Sequence, residues 1–216
     1  MFNKYAESYD LFNEKKSYKK EIEFVYEWAG RPLNILDIGC GTAEYWKYYP
    51  SGTQLVGLEK SKHMIKESRY KNLIVNGSAG QKSWLKKVNG VDCVTALFDV
   101  INYIQKHDWW KNLPLKKGGY FIFDILDKKR VDKDGFLETT RTVNGITRHI
   151  TPIKYDGRKV DLNVQVFEYE DLSYIERHRM YLYSRSAIER FCGDEFEIVD
   201  VKPTKRWQCW YKLRRK

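Results

Sequence analysis

The densest chemistry in the sequence lies in Asp37-Ile38-Gly39-Cys40-Gly41-Thr42-Ala43, at the end of an apolar run that starts near Asn34. A buried strand that passes into glycines and then a helix lets backbone approach a ligand, and the first helical N–H groups are free to meet it. A GxGxxG dinucleotide loop would need a small neutral residue three places after Gly41. Glu44 stands there, and its carboxylate opposes a pyrophosphate, which disfavours nicotinamide and flavin cofactors. A second acid, Glu59, closes the next apolar run, Leu55-Val56-Gly57-Leu58, where a carboxylate can accept both hydroxyls of a ribose. Further along, Asp99 follows another apolar run, where it can bind or deprotonate an acceptor or cap the next helix. His149 and His178 are candidate bases, imidazole being the side chain suited to proton transfer near neutrality, with a surface or structural role as the alternative.

These groups need a frame, and the pattern of apolar runs supplies one. Strand-like segments at Asn34–Ile38, Gln54–Glu59, Asn72–Val75, Val91–Leu97 and Tyr120–Leu126 alternate with helical candidates at Ala43–Tyr49, Lys62–Tyr70, Gln81–Lys87 and Lys106–Leu113. A first helix is expected over Ser17–Trp28. Such β-α-β alternation predicts a parallel sheet covered by helices. From about Leu137 to Tyr183 the rhythm becomes β-rich, with Asn144-Gly145 and Asp156-Gly157 as hairpin turns, so an antiparallel insert is expected over residues 133–183. A helix at Ser186–Cys192, capped by Ser184 or Ser186, and strands at Phe196–Val201 and Trp207–Leu213 complete a single domain spanning residues 1–216. With 42% hydrophobic and 31% charged residues in 216, the chain can enclose a core. No run resembles a membrane helix or secretion signal, and four scattered cysteines without a CxxC pair read as reduced thiols, so a cytoplasmic location is expected.

The segment Asp37-Ile38-Gly39-Cys40-Gly41-Thr42-Ala43 resembles motif I of the class I S-adenosylmethionine-dependent methyltransferases, an acid followed by GxGxG, with Ala43 in place of the last glycine. The resemblance implies a Rossmann-like, doubly wound α/β sheet of seven strands, with the antiparallel insert between the fifth strand and the last helix. It implies S-adenosylmethionine as cofactor, S-adenosylhomocysteine as its product, and no metal. Asp37 would help orient the cofactor's ammonium, directly or through water. Gly39, Cys40 and Gly41 would line its amino-acid end, Glu59 its ribose, with Lys60 beside it. Met64 would lie along the adenine or serve as an ordinary core residue. Ser78 and Ala79 stand where the family often carries an acid for the adenine amine, so their backbone would substitute. Leu97, in Ala96-Leu97-Phe98-Asp99-Val100-Ile101-Asn102-Tyr103, falls in the segment bordering both cofactor and acceptor, where Asn102 and Tyr103 would frame the acceptor. Glu176-Arg177-His178 through Ser184 resembles the lead into the last helix of small-molecule methyltransferases.

The lead Tyr5-Ala6-Glu7-Ser8-Tyr9-Asp10-Leu11-Phe12, followed by Lys16-Ser17-Tyr18, resembles the cover of N-methyltransferases that act on amino sugars or on glycine and sarcosine. Residues 1–30 are thus expected to form a lid and first helix, with Tyr9 against the cofactor and Tyr18, Asp99 and His178 as catalytic candidates; a hydrophobic strap is the alternative. The expected partner is a small polar acceptor, an amine foremost, and a homodimer through the insert is a further expectation. The alternatives are an RNA methyltransferase and a non-catalytic cofactor-binding scaffold. A formal charge of +10 invites the nucleic-acid reading, but seven of those charges lie from Lys202 onward, as expected of a solvated basic tail.

Overall fold

A computed structural model describes residues 4–88, 90–105, 108–136, 138–204 and 208–216. The apolar runs pair as expected. Strands β1 (Asn34–Ile38), β2 (Gln54–Glu59), β3 (Ile74–Asn76), β4 (Val91–Ala96) and β5 (Leu115–Leu126) are parallel, in the spatial order β3-β2-β1-β4-β5. Beyond β5 come β11 (Gln208–Arg215), antiparallel to its neighbours, and then β10 (Phe196–Pro203). Successive side chains in a strand point to opposite faces, and the sheet uses both. Ile35, Cys93, Ile122 and Trp210 pack on one face with Ile22 and Val25 of helix α2 (Tyr18–Trp28). Leu36, Val94, Phe121, Phe123 and Leu213 pack on the other with Trp84, Trp110 and Ile188. The sheet is doubly wound, with helix α5 (Arg185–Cys192), capped by the Ser184 hydroxyl, on the second face.

The connections are tighter than the sequence suggested. Three of the four expected intervening helices are single 3-10 turns, at Glu44–Tyr48, Ser83–Lys87 and Asp108–Asn112; only α3 (Lys62–Glu67), capped by Ser61, is α-helical. Buried Tyr45, Trp46, Trp84, Trp109 and Trp110 explain this, since one turn carrying a large ring covers the sheet area that a longer aliphatic helix would cover. The lead also contains a helix not foreseen, α1 (Ala6–Asn13).

After β5, helix α4 (Lys128–Asp134) leads to a separate antiparallel meander of β6 (Thr139–Val143), β7 (Ile146–Tyr155), β8 (Lys159–Glu168) and β9 (Asp171–Tyr181). The expected boundary at residue 133 therefore falls inside a helix. Asn144 and Gly145 both adopt positive φ, as a two-residue hairpin loop of this kind requires. A third reversal, at Tyr169-Glu170, takes the same left-handed geometry (φ 48° and 78°) without a turn residue to announce it. Lys106, Leu137, Lys205, Arg206, Trp207 and residues 1–3, which some of the expectations include, lie outside the described residues.

The basic C-terminus is not a solvated tail. It is β11, held between β5 and β10, with Leu213 fully buried and Trp210 and Tyr211 nearly so. Arg214 pairs with Glu197 and Arg215 with Glu195, while Lys212 donates to the Trp28 carbonyl. A denser exposed positive surface lies elsewhere. Residues 60–88 carry seven lysines and Arg69 against one acid, Glu67. All seven lysines are exposed, and among the described residues only Arg69 of this set has an ion pair, with Glu44. They border β3, the edge strand. No helix among the described residues is long and apolar enough to cross a membrane.

Candidate functional site

The turn after β1 alternates left-handed residues: Gly39 (φ 67°), Gly41 (58°) and Ala43 (56°). This is the reason a third glycine is usual in the motif, and Ala43 bears the steric cost of about 1–2 kcal/mol that an L-residue incurs there. The two glycines serve different ends. A Cβ on Gly39 would lie 2.7 Å from both methyls of Val100, so this glycine allows close packing of the turn on the segment after β4. A Cβ on Gly41 would meet nothing within 4 Å and would project into open space.

That space belongs to a cavity of about 680 Å³ at the carboxyl ends of β1, β2 and β4, the position in which open α/β sheets bind ligands. Gly39, Cys40 and Gly41 form one side of it. Glu59, Lys60 and Met64 come from the end of β2 and from α3, and Ser78, Ala79 and Leu97 from the turns after β3 and β4. Tyr9 of α1 and Tyr18 of α2 line it from the lead. The Glu59 carboxylate is fixed by two backbone donors, Gly41 N at 3.0 Å on one oxygen and Ser61 N at 2.6 Å on the other. Burial raises its pKa, and the Ser61 and Gly41 N–H groups oppose that rise. Asn76 donates to the Glu59 and Lys60 carbonyls and so ties the edge strand to this turn.

Asp37 does not reach the cavity. It is fully buried beneath the turn, where it accepts from Tyr45 Oη and Trp46 Nε1, both at 2.6 Å, and from Thr95 Oγ1 at 2.8 Å. Desolvation raises its pKa, and these three donors pull the other way. Its alternation in β1 points it at these donors, and its effect on the site passes through Tyr45, which does line the cavity. Asp99 is a second correction. Its side chain neither lines the cavity nor caps the 3-10 turn Val100–Tyr103 that it precedes. Phe98 and Asp99 are consecutive left-handed residues (φ 66° and 63°), and their N–H groups donate to the two oxygens of buried Asp124 at 2.6 and 3.2 Å. Gln208 donates to Asp124 at 3.2 Å and approaches Asp99 at 3.4 Å. Burial pushes both carboxyl pKa values up, and that of Asp124 rises further through the adjacent Asp99.

The two expected histidines lie on opposite faces of the insert. His149 lies on the face turned away from α1, with Nδ1 2.8 Å from the Thr140 hydroxyl and its ring against Phe167. His178 is buried on the inner face, behind Tyr103, which does line the cavity. Asn102 is structural: it donates to the Tyr181 carbonyl at 2.6 Å and accepts from Leu126 N at 3.0 Å, joining the main sheet to the insert.

Several site residues escaped the sequence reading. Thr42 Oγ1 donates to Asp10 at 2.8 Å, fastening α1 to the glycine turn. Tyr45 and Phe98 join the expected Tyr18 in a wall of edge-to-face and tilted rings, with the Lys16 ammonium 3.2 Å from the Phe98 ring centroid. Asp124 had one available signal, a charge in the apolar run Tyr120–Leu126. Thr42, Asp10 and Tyr45 had none.

No family model and no curated protein matches the chain. Solved structures do. A S-adenosylmethionine-dependent methyltransferase from Clostridium acetobutylicum superposes with a TM-score of 0.78 at 20% identity, covering 99% of this chain and 98% of its own. CalS10, an amino pentose methyltransferase from Micromonospora echinaspora solved with S-adenosylmethionine bound, gives 0.74 at 16% identity, covering 100% and 98%. The sugar N-methyltransferase KedS8 from Streptoalloteichus gives 0.70 at 16%, covering 96% and 93%. At these identities the likeness establishes architecture: the chain has, over essentially its whole length, the fold of the S-adenosylmethionine-dependent methyltransferases.

Proposed function

We propose that the chain is a S-adenosylmethionine-dependent methyltransferase acting on a small polar acceptor, an amine foremost. The observation that carries the reading is Glu59, held at the cavity by the Gly41 and Ser61 N–H groups beside a turn that leaves room for ligand at Gly41. The donor set suits this cofactor. Leu58, Met64 and Ala79 offer an apolar slot for an adenine, Glu59 an acceptor for the ribose hydroxyls, and Gly39 through Gly41 a place for the amino-acid end. When bound, the cofactor supplies an electrophilic methyl group. The chain's part is then to bind, align and exclude water, which can account for most of the acceleration of a direct displacement. Tyr9 and Tyr18 contribute rings of the kind that suit a cation, and α1 covers the cavity from the lead. CalS10, an amino pentose methyltransferase, and KedS8, a sugar N-methyltransferase, favour an amine on a polar frame.

Calorimetry with S-adenosylmethionine and S-adenosylhomocysteine tests the assignment. Micromolar binding by the wild type, lost in Gly41→Val and Glu59→Ala, is expected; equal affinity in all three would sink it. Turnover on glycine, sarcosine and amino-sugar acceptors then separates an enzyme from a cofactor-binding scaffold. We also assign the protein to the cytoplasm, which suits four buried cysteines that are all free thiols. Pairing through the outer face of the insert, where Leu172 and Ile175 are about half exposed, completes the proposal; a monomer by light scattering at high concentration removes the pairing alone.

The lysine-rich edge around β3 favours a second reading, a nucleic-acid acceptor. Salt distinguishes it. Backbone phosphate binding falls by roughly three to five orders of magnitude from 50 to 200 mM salt when six to ten phosphates are contacted, whereas an enclosed small acceptor is only mildly screened.

A further inference from the structure

We propose that Tyr103 is the residue that takes the acceptor's proton, relaying it to His178, which Glu176 holds in the receptive tautomer; this rests on the amine reading above. Tyr103 lines the cavity from the 3-10 turn after β4. Its hydroxyl is 3.5 Å from His178 Nδ1, and the opposite ring nitrogen, Nε2, is 3.4 Å from Glu176 Oε2. The roles follow from chemistry. A carboxylate only accepts, so Nε2 carries the hydrogen, and in the neutral imidazole Nδ1 is then the acceptor that faces Tyr103. Both separations are long, as is common before an acceptor is bound.

Glu176 and His178 are i and i+2 on β9, hence on one face, and that face is buried at His178, which is 3% exposed. The other Glu176 oxygen accepts from the backbone N of Tyr5 at 3.1 Å, and the Tyr5 ring lies edge-on to the imidazole with centroids 6.3 Å apart. The lead that covers the cavity thereby also fixes the carboxylate that orients the histidine. Burial keeps the Tyr103 hydroxyl protonated at neutral pH, which suits a relay that gives one proton as it receives another.

The step balances. The amine lone pair forms the N–C bond as the C–S bond breaks and its electron pair stays on sulfur. The surplus proton on nitrogen passes to Tyr103 Oη as the phenolic proton passes to His178 Nδ1, leaving an imidazolium against the Glu176 carboxylate. Tyr103 is thus the catalytic group, while His178 and Glu176 act through it.

Nitrogen-15 NMR of the imidazole in the full chain reads the arrangement without turnover. The expected result is a neutral His178 with hydrogen on Nε2, whose bare Nδ1 resonance moves in Tyr103→Phe; hydrogen on Nδ1, or a resonance indifferent to Tyr103→Phe, overturns the relay. On the amine panel, Tyr103→Phe should lower kcat about 100-fold and Glu176→Gln about tenfold, with cofactor affinity by calorimetry unchanged. A kcat within threefold of wild type in Tyr103→Phe refutes the relay and leaves the amine reading standing. A wild type that binds cofactor yet methylates no amine refutes both.

Discussion

The cavity has two walls built in different ways. The wall at the ends of the parallel strands is stitched by bonds between near segments: Glu59 to Ser61, two positions on, and to Gly41, 18 positions back, with Asn76 returning to Glu59 across 17. The wall that the lead contributes is braced from behind by the insert, through bonds that span most of the chain. Ser8 meets Tyr174 across 166 positions, Tyr5 N meets Glu176 across 171, and Arg148 reaches the Tyr5 hydroxyl across 143. Between these polar contacts Tyr5 and Phe12 pack with Val164 and Val166 in a small core of their own. The first wall forms with the sheet. The second exists only once both ends of the chain have met, and α1 is fastened to the first wall through Thr42 and Asp10.

The largest effect that would sharpen this contrast is on stability. Phe12 is fully buried in the small core, so Phe12→Ala should cost about 3–5 kcal/mol, read by chemical denaturation. If the cost is under 1 kcal/mol, α1 is a loosely held lid rather than part of the fold. Next is Glu59→Ala on the other wall, expected to weaken cofactor binding at least 100-fold, about 2.7 kcal/mol, with little change in melting temperature. A variant that binds normally would show that the fixed carboxylate serves the turn and not a ligand.

Asp37→Asn should cost about 1–3 kcal/mol, because an amide N–H₂ would face one of three converging donors. Its cofactor affinity should fall less than that of Glu59→Ala, since Asp37 acts through Tyr45; the opposite ranking by calorimetry would return Asp37 to the ligand. Thr42→Val removes the fastening of α1 and should cost about 1 kcal/mol. Its mark should be faster proteolysis within residues 4–16, and unchanged cleavage would break the link drawn between the walls. The smallest effect is a slope. Burial and Asp99 raise the Asp124 pKa above its ordinary 3.8, so the folded state holds that proton more tightly than the unfolded chain. Its contribution is full below about 3.8 and is lost as pH rises through the folded value. Asp124→Asn, which cannot titrate, should therefore lose less stability than wild type as pH rises from 4 to 7.

The first wall was legible in the sequence because its signals are local. A strand ending in glycines and a second strand ending in an acid fix where backbone and carboxylate must lie, and Gly39, Gly41, Glu59, Met64 and Ala79 indeed share one cavity. The sequence could not show which way an acid inside a strand is turned by its neighbours. Asp37 and Glu59 looked alike as acids at strand ends. One is consumed by Tyr45, Trp46 and Thr95, and the other stays at the cavity. Asp99 looked like a base because it follows β4, but two left-handed residues in succession turn its side chain toward Asp124 and Gln208.

The sequence by itself determined the parallel sheet, the glycine turn, the insert and its two turn-marked hairpins, because periodicity and turn chemistry act over a few residues and need no partner. It also determined the net charge but not its placement. The chain end read both as a strand to Leu213 and as a basic tail; with Trp210, Tyr211 and Leu213 buried, Lys212, Arg214 and Arg215 belong to β11, between β5 and β10. Tertiary structure alone decided which histidine lies toward the cavity, behind Tyr103, since pairing register sets His149 of β7 outward and His178 of β9 inward on either side of β8. It alone also brought Tyr5, Tyr103, Glu176 and His178 together, because contacts between residues so far apart are set by how two sheets and a helix pack and not by any local preference.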